Sequence, residues 1–67
     1  MYYLEIVDLF DNITDVKVKN SKIVVTGFAD GKRTTYDQEY QHGKVAKEVA
    51  KRLMYFKGIS KGSKKFN

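Results

Sequence analysis

The chain is 67 residues long, 42% hydrophobic and 31% charged, with no cysteine, no proline, one histidine and a formal net charge of +5. That length makes one small domain whose stability rests on a core of Val, Ile, Leu, Phe and Tyr, because no disulfide is available and a lone histidine cannot build a metal site. No run approaches the roughly 18 consecutive apolar residues of a membrane span, and Met1-Tyr2-Tyr3 lacks the basic start of a secretory signal, so a cytoplasmic protein with no membrane partner and no cofactor is expected.

From Tyr2 to Ile13 the polar residues Glu5, Asp8, Asp11 and Asn12 recur every three to four positions, with Tyr2, Ile6, Leu9, Phe10 and Ile13 between them. This is helical spacing, and it would line Glu5, Asp8 and Asp11 along a solvated helix face. The alternative is a strand over Tyr2 to Phe10, favoured by its Tyr, Ile and Val content, with Asp11-Asn12 as a hairpin turn.

From Thr14 the period changes to two. Asn20-Ser21 and Asp30-Gly31 read as two-residue hairpin turns, since Asn and Gly accept the positive φ such turns demand. Taken together the turns set a register in which Val18 faces Ile23, Val16 faces Val25 and Val25 faces Tyr36 on one side of a three-stranded antiparallel meander. Gly27 is expected at a bulge or a point of close packing. The other side then carries Lys17, Lys19, Lys22, Val24, Thr26, Phe28, Arg33, Thr35 and Asp37 and faces water.

After Gly43 the helical period returns. Val45, Ala46, Val49, Ala50, Leu53 and Phe56 form an apolar stripe, with Lys44, Lys47, Glu48, Lys51 and Tyr55 on the opposite side. Gly58 is expected to end the helix in a left-handed conformation, with Lys57 near the negative helix end. Ile59 to Asn67, holding Lys61, Lys64 and Lys65, reads as a flexible basic tail appended to a domain spanning 1–58. Two helices and one apolar sheet face give an α+β fold, α-β-β-β-α in two layers, both helices covering the Val16, Val18, Ile23, Val25, Tyr36 face. The strand alternative gives β-β-β-β-α.

Charge is divided along this architecture. Residues 43–67 hold eight Lys or Arg against Glu48 alone, a net of +7, whereas residues 1–42 hold five bases against seven acids, a net of −2. A concentrated basic end attracts polyanions, because neutralised phosphates release their condensed counterions. Lys44 and Lys47 also occupy the first turn or so of a helix, where the dipole prefers Asp or Glu. A phosphate held by the free N–H groups and both ammonium groups would resolve that conflict. The other account has Glu48 between Lys44 and Arg52 at i,i+4 spacing, the lysines merely solvating a helix face.

The element order, the length and the run Lys44, Ala46, Lys47, Ala50, Leu53 together resemble a double-stranded RNA-binding domain. That family opens its second helix on a Lys-Lys-x-Ala-Lys pattern, and the resemblance implies that Lys44 and Lys47 grip phosphates across a major groove. Gly43 stands where the family has its first lysine, and the tight Asn20-Ser21 turn replaces a longer groove-reading loop.

The expected phosphate-binding set is therefore Lys44, Lys47, Lys51, Arg52, Tyr55, Lys57, Lys61, Lys64 and Lys65. A second candidate is the outward sheet face, where Phe28 beside Arg33, with Lys17, Lys19 and Lys22, would offer a stacking platform for single-stranded bases, or only a stray exposed aromatic. Tyr36 and Tyr40 are expected at the core rim and His42 at the helix cap or in a loop. The chain has no dinucleotide or phosphate-loop glycine pattern and no nucleophile with an identifiable base, so no enzyme is expected. The expected function is a small module that binds nucleic acid, a duplex of RNA or DNA ahead of a single strand. The alternative is a modulator or inhibitor docking on a larger protein through its acidic first helix and exposed Phe28 and Val24.

Overall fold

Tight turns and alternation build the sheet. Asn20 at φ 59°, Asp30 at φ 55° and Gly31 at φ 77° take the left-handed conformations that let a strand reverse within two residues. The computed structural model describes residues 2–58, in the order α1 (Tyr2–Val7), β1 (Asn12–Lys19), β2 (Lys22–Ala29), β3 (Lys32–Glu39) and α2 (Gly43–Met54). The sheet is antiparallel in the order β1-β2-β3, with Val16 paired to Val25, Val18 to Ile23 and Val25 to Tyr36. The α+β architecture and its meander register are thus the expected ones, and the four-stranded alternative is not formed. Val18, expected beneath the helices, is instead 39% exposed, because it lies at the first-hairpin end of the sheet beside the start of α2. The proposed tail at residues 59–67, with Lys61, Lys64 and Lys65, lies outside the described residues.

One sheet face carries the core. Ile13, Val16, Ile23 and Val25 from the strands meet Ile6, Val7 and Phe10 from the first segment and Ala46, Val49, Ala50 and Leu53 from α2, all buried. Complete burial of an aliphatic side chain of this kind stabilises by about 1.5–3 kcal/mol before the entropy of ordering it is subtracted. Helix α2 lies over β1 and β2, and α1 lies beside α2. Among the described residues no helix is long and apolar enough to cross a membrane.

The first helix is shorter than its pattern predicts. It ends at Val7, loosens through Leu9 N–H to Ile6 O at 3.0 Å and Phe10 N–H to Val7 O at 3.1 Å, and Asn12 and Ile13 already belong to β1. The cause is Gly27. A Cβ there would lie 2.7 Å from Phe10 Cδ2 and inside contact distance of the Asn12 carbonyl, so the glycine lets Phe10 and the start of β1 settle against β2. Ile13 pairs with Gly27, and the register then slips between Ile13 and Asp15, placing a bulge at Thr14. That extra residue brings Ile13 and Val16, three positions apart, onto the same buried face. Asp11 consequently leaves the expected solvated stripe. Its N–H donates to Phe28 O at 2.7 Å and its Oδ2 accepts from Asp30 N–H at 2.8 Å, tying the α1–β1 connection to the second hairpin turn. Leu9, half exposed, is left outside the core.

Helix α2 ends earlier than Gly58. Tyr55, Phe56 and Lys57 donate to Arg52, Leu53 and Met54 carbonyls three residues back, at 3.2, 2.9 and 3.2 Å, which winds the end into tighter turns. Gly58 does take a left-handed φ of 82°, but it serves to turn the chain so that its N–H donates to Ile13 O at 2.7 Å.

Candidate nucleic-acid interface

The N-terminus of α2 is built against the first hairpin. The strand register extends one pair beyond β3, with Tyr40 N–H donating to Ser21 O at 2.8 Å, and this carries the linker Gln41–Gly43 alongside the turn. A Cβ on Gly43 would come within 3.3 Å of Asn20 O, so the helix starts in close contact with that turn. Val18, Asn20, Ser21, Gln41, His42, Gly43, Lys44 and Lys47 line an open concavity of about 950 Å³.

His42 is the N-cap residue, extended at φ −132° and ψ 140°, and its side chain makes no capping hydrogen bond. Val45 and Ala46 N–H both donate to His42 O, at 3.1 and 3.3 Å, while helix geometry leaves the Gly43 and Lys44 N–H groups without an intrahelical acceptor. No acid stands in the first turn. Free donors, the positive end of the helix dipole and two exposed ammonium groups therefore occur together.

The basic residues of α2 divide into two groups. Glu48 pairs with Arg52 at 3.4 Å, and the Arg52 guanidinium lies 5.9 Å from the Tyr3 ring centroid, turned toward α1. Lys57 reaches Asp15 at 4.0 Å, beside the edge of β1. Lys44, Lys47 and Lys51 make no ion pair among the described residues, and at i, i+3, i+7 they follow one exposed line about 10 Å long. Tyr55, 71% exposed, continues that line past the last turn. The structure so joins Lys44, Lys47, Lys51 and Tyr55 on one surface and sets Arg52 and Lys57 apart on acidic partners.

The outward sheet face holds its candidates at two ends. Phe28, 41% exposed, pairs across the strands with Arg33 next to the second hairpin turn. Lys19 and Lys22 face each other at the first turn, about 20 Å away along β2. Lys22 pairs with Asp37 at 3.4 Å and Lys17 with Asp15 at 3.9 Å. The expected platform is thus one aromatic with one arginine, and the three lysines are not gathered around it.

Sequence reasoning did not place Asn20, Ser21 and Gln41 at the α2 site. The signal was present, since the register that pairs Lys22 with Glu39 pairs Ser21 with Tyr40 at the next step. Among the described residues no three of His, Cys, Asp and Glu converge as metal ligands. The chain matches no protein-family model, and neither a curated protein nor a solved structure matches it.

Proposed function

We propose that this chain is a small nucleic-acid-binding module that holds backbone phosphates along the exposed face of α2, through Lys44, Lys47 and Lys51. One observation carries the reading: Glu48 pairs with Arg52, leaving Lys44 and Lys47 at the uncapped start of the helix, and Lys51 further along the same face, without an acidic partner among the described residues. Contacts of this kind position a duplex without reading its bases, so affinity falls steeply with salt and sequence preference is slight. The α-β-β-β-α order and the Lys44-to-Leu53 run, which resemble a double-stranded RNA-binding domain, make duplex RNA the first ligand to try. A cysteine-free chain with this role suits the cytoplasm.

The test is a titration of the full chain with duplex RNA, duplex DNA and the corresponding single strands between about 50 and 200 mM salt. Binding that weakens linearly in log Kd against log salt, strongest for a duplex, is expected. No binding to any of them at the lowest salt sinks the proposal, and a preference for single strands transfers the site to Phe28 and Arg33.

A further inference from the structure

The two edges of the sheet are unlike. The β1 edge is interrupted by the bulge at Thr14 and covered at Ile13, whose carbonyl accepts from Gly58. The β3 edge has no such cover among the described residues. Ala29 and Lys32 flank a two-residue turn, and in such a hairpin the flanking pair exchanges hydrogen bonds, so Lys32, Thr34, Tyr36 and Gln38 direct their peptide groups to β2. Arg33, Thr35, Asp37 and Glu39 turn theirs to the free edge. An open row of donors and acceptors is a template for another strand.

We propose that β3 pairs antiparallel with β3 of a second copy, about a two-fold axis at Thr35, to give a continuous six-stranded sheet. Charge complementarity selects this occupant. Residues facing each other across an antiparallel pair lie on the same side of the sheet, so centring on Thr35 sets Arg33 against Asp37 of the second copy, twice by symmetry, with Asp37 shared between Arg33 and the Lys22 of its own chain at 3.4 Å. On the opposite side of the sheet, Lys32 of the second copy arrives beside Gln38. Gln38 lines a groove of about 540 Å³ together with Glu5, Ile6, Leu9, Tyr36 and Tyr40. Glu5, Lys32 and Arg33 make no ion pair within one chain among the described residues, and the dimer supplies a partner to each. The register one step further along, centred on Tyr36, would set Arg33 against Glu39 instead, through a Glu39 carbonyl that is already shared with Gln38 Nε2 at 3.0 Å, and exchange of charge at Asp37 distinguishes the two. Glu5, Ile6 and Leu9 share that groove with the Tyr36-to-Tyr40 end of β3, so a two-fold at Thr35 carries the equivalent groove of the second copy toward the opposite end of the paired strands.

Sedimentation equilibrium of the full chain over about 1 μM to 1 mM is the test, and a monomer–dimer equilibrium within that range is expected. Thr35→Pro removes a free-edge N–H without touching the β2–β3 ladder, so it should give a monomer that still melts cooperatively. Arg33→Asp, an exposed change that sets carboxylate against carboxylate, should raise the dimer dissociation constant about tenfold. Adding Asp37→Arg to it restores opposite charges and should bring association back. A chain that stays monomeric to the highest concentration overturns the proposal. So does a dimer that survives Arg33→Asp unchanged, or an Arg33→Asp loss that the charge exchange fails to reverse.

Discussion

Gly27 fixes how closely the start of β1 approaches β2. Its missing side chain admits Phe10, the start of β1 and the bulge at Thr14, and these decide where α1 stops. Gly27→Ala must displace backbone at Asn12 and Ile13 rather than a flexible side chain tip, so a loss of about 3 kcal/mol or more is expected. A domain of this size holds only about 3–10 kcal/mol in total. Chemical denaturation followed by circular dichroism should show a midpoint far below that of the parent, or no folded baseline; a loss under about 1 kcal/mol would mean that β1 can move away from β2 at little cost. Phe28 makes the opposite prediction. It is 41% exposed on the outward sheet face, so Phe28→Ala should change stability by no more than about 1 kcal/mol and leave duplex affinity intact. A large fall in duplex binding for this variant would place the interface on the sheet instead of α2.

At the scale of elements, α2 combines a packing role and a proposed binding role on opposite sides. Ala46, Val49, Ala50 and Leu53 are buried against the sheet, while Lys44, Lys47 and Lys51 lie outside. The two roles are separable by mutation. Replacing Lys44 and Lys47 with Gln should weaken nucleic-acid binding by about 1–3 kcal/mol in total and lower the salt slope by about two. Stability should hold or rise by a few tenths of a kcal/mol, since each lysine sits unfavourably at the positive end of the helix dipole. Paired titrations and thermal melts of this variant check both signs. Leu53→Ala, by contrast, should cost about 2–5 kcal/mol, because Leu53 is wholly buried. Helix α1 shows how an amphipathic pattern overruns its element. Its apolar spacing continues to Ile13, but the pairing of Ile13 with Gly27 is a sheet contact, and tertiary packing outweighs a local preference of a few tenths of a kcal/mol per residue.

For the whole molecule the division of charge matters more than its sum. The net +7 of residues 43–67 stands against −2 for the rest. Deleting residues 59–67 removes Lys61, Lys64 and Lys65 and leaves the α2 face in place. Affinity for every nucleic acid should fall together, with a shallower salt slope and an unchanged order of preference. If this deletion abolishes binding while the double Gln variant binds like the parent, the α2 site is a solvated helix face and nothing more.

The sequence by itself determined the meander, its register and the buried face. Two turns of fixed length and a period of two leave one alignment that puts Val16, Val18, Ile23, Val25 and Tyr36 on one side, of which the helices bury Val16, Ile23 and Val25 and leave Val18 exposed. It also determined the basic stripe of α2, because helical spacing alone places Lys44, Lys47 and Lys51 in line. Only the tertiary structure decided which bases are neutralised. Glu48 had Lys44 and Arg52 equally spaced on either side, and it pairs with Arg52, whose guanidinium also lies near the Tyr3 ring. The pairing of Lys57 with Asp15 likewise depends on the segment after α2 returning to the β1 edge. Such choices are made between segments far apart in the chain, by contacts no local period encodes. The bulge at Thr14 is of the same kind, since an extra residue in β1 is visible only against the strand it fails to match.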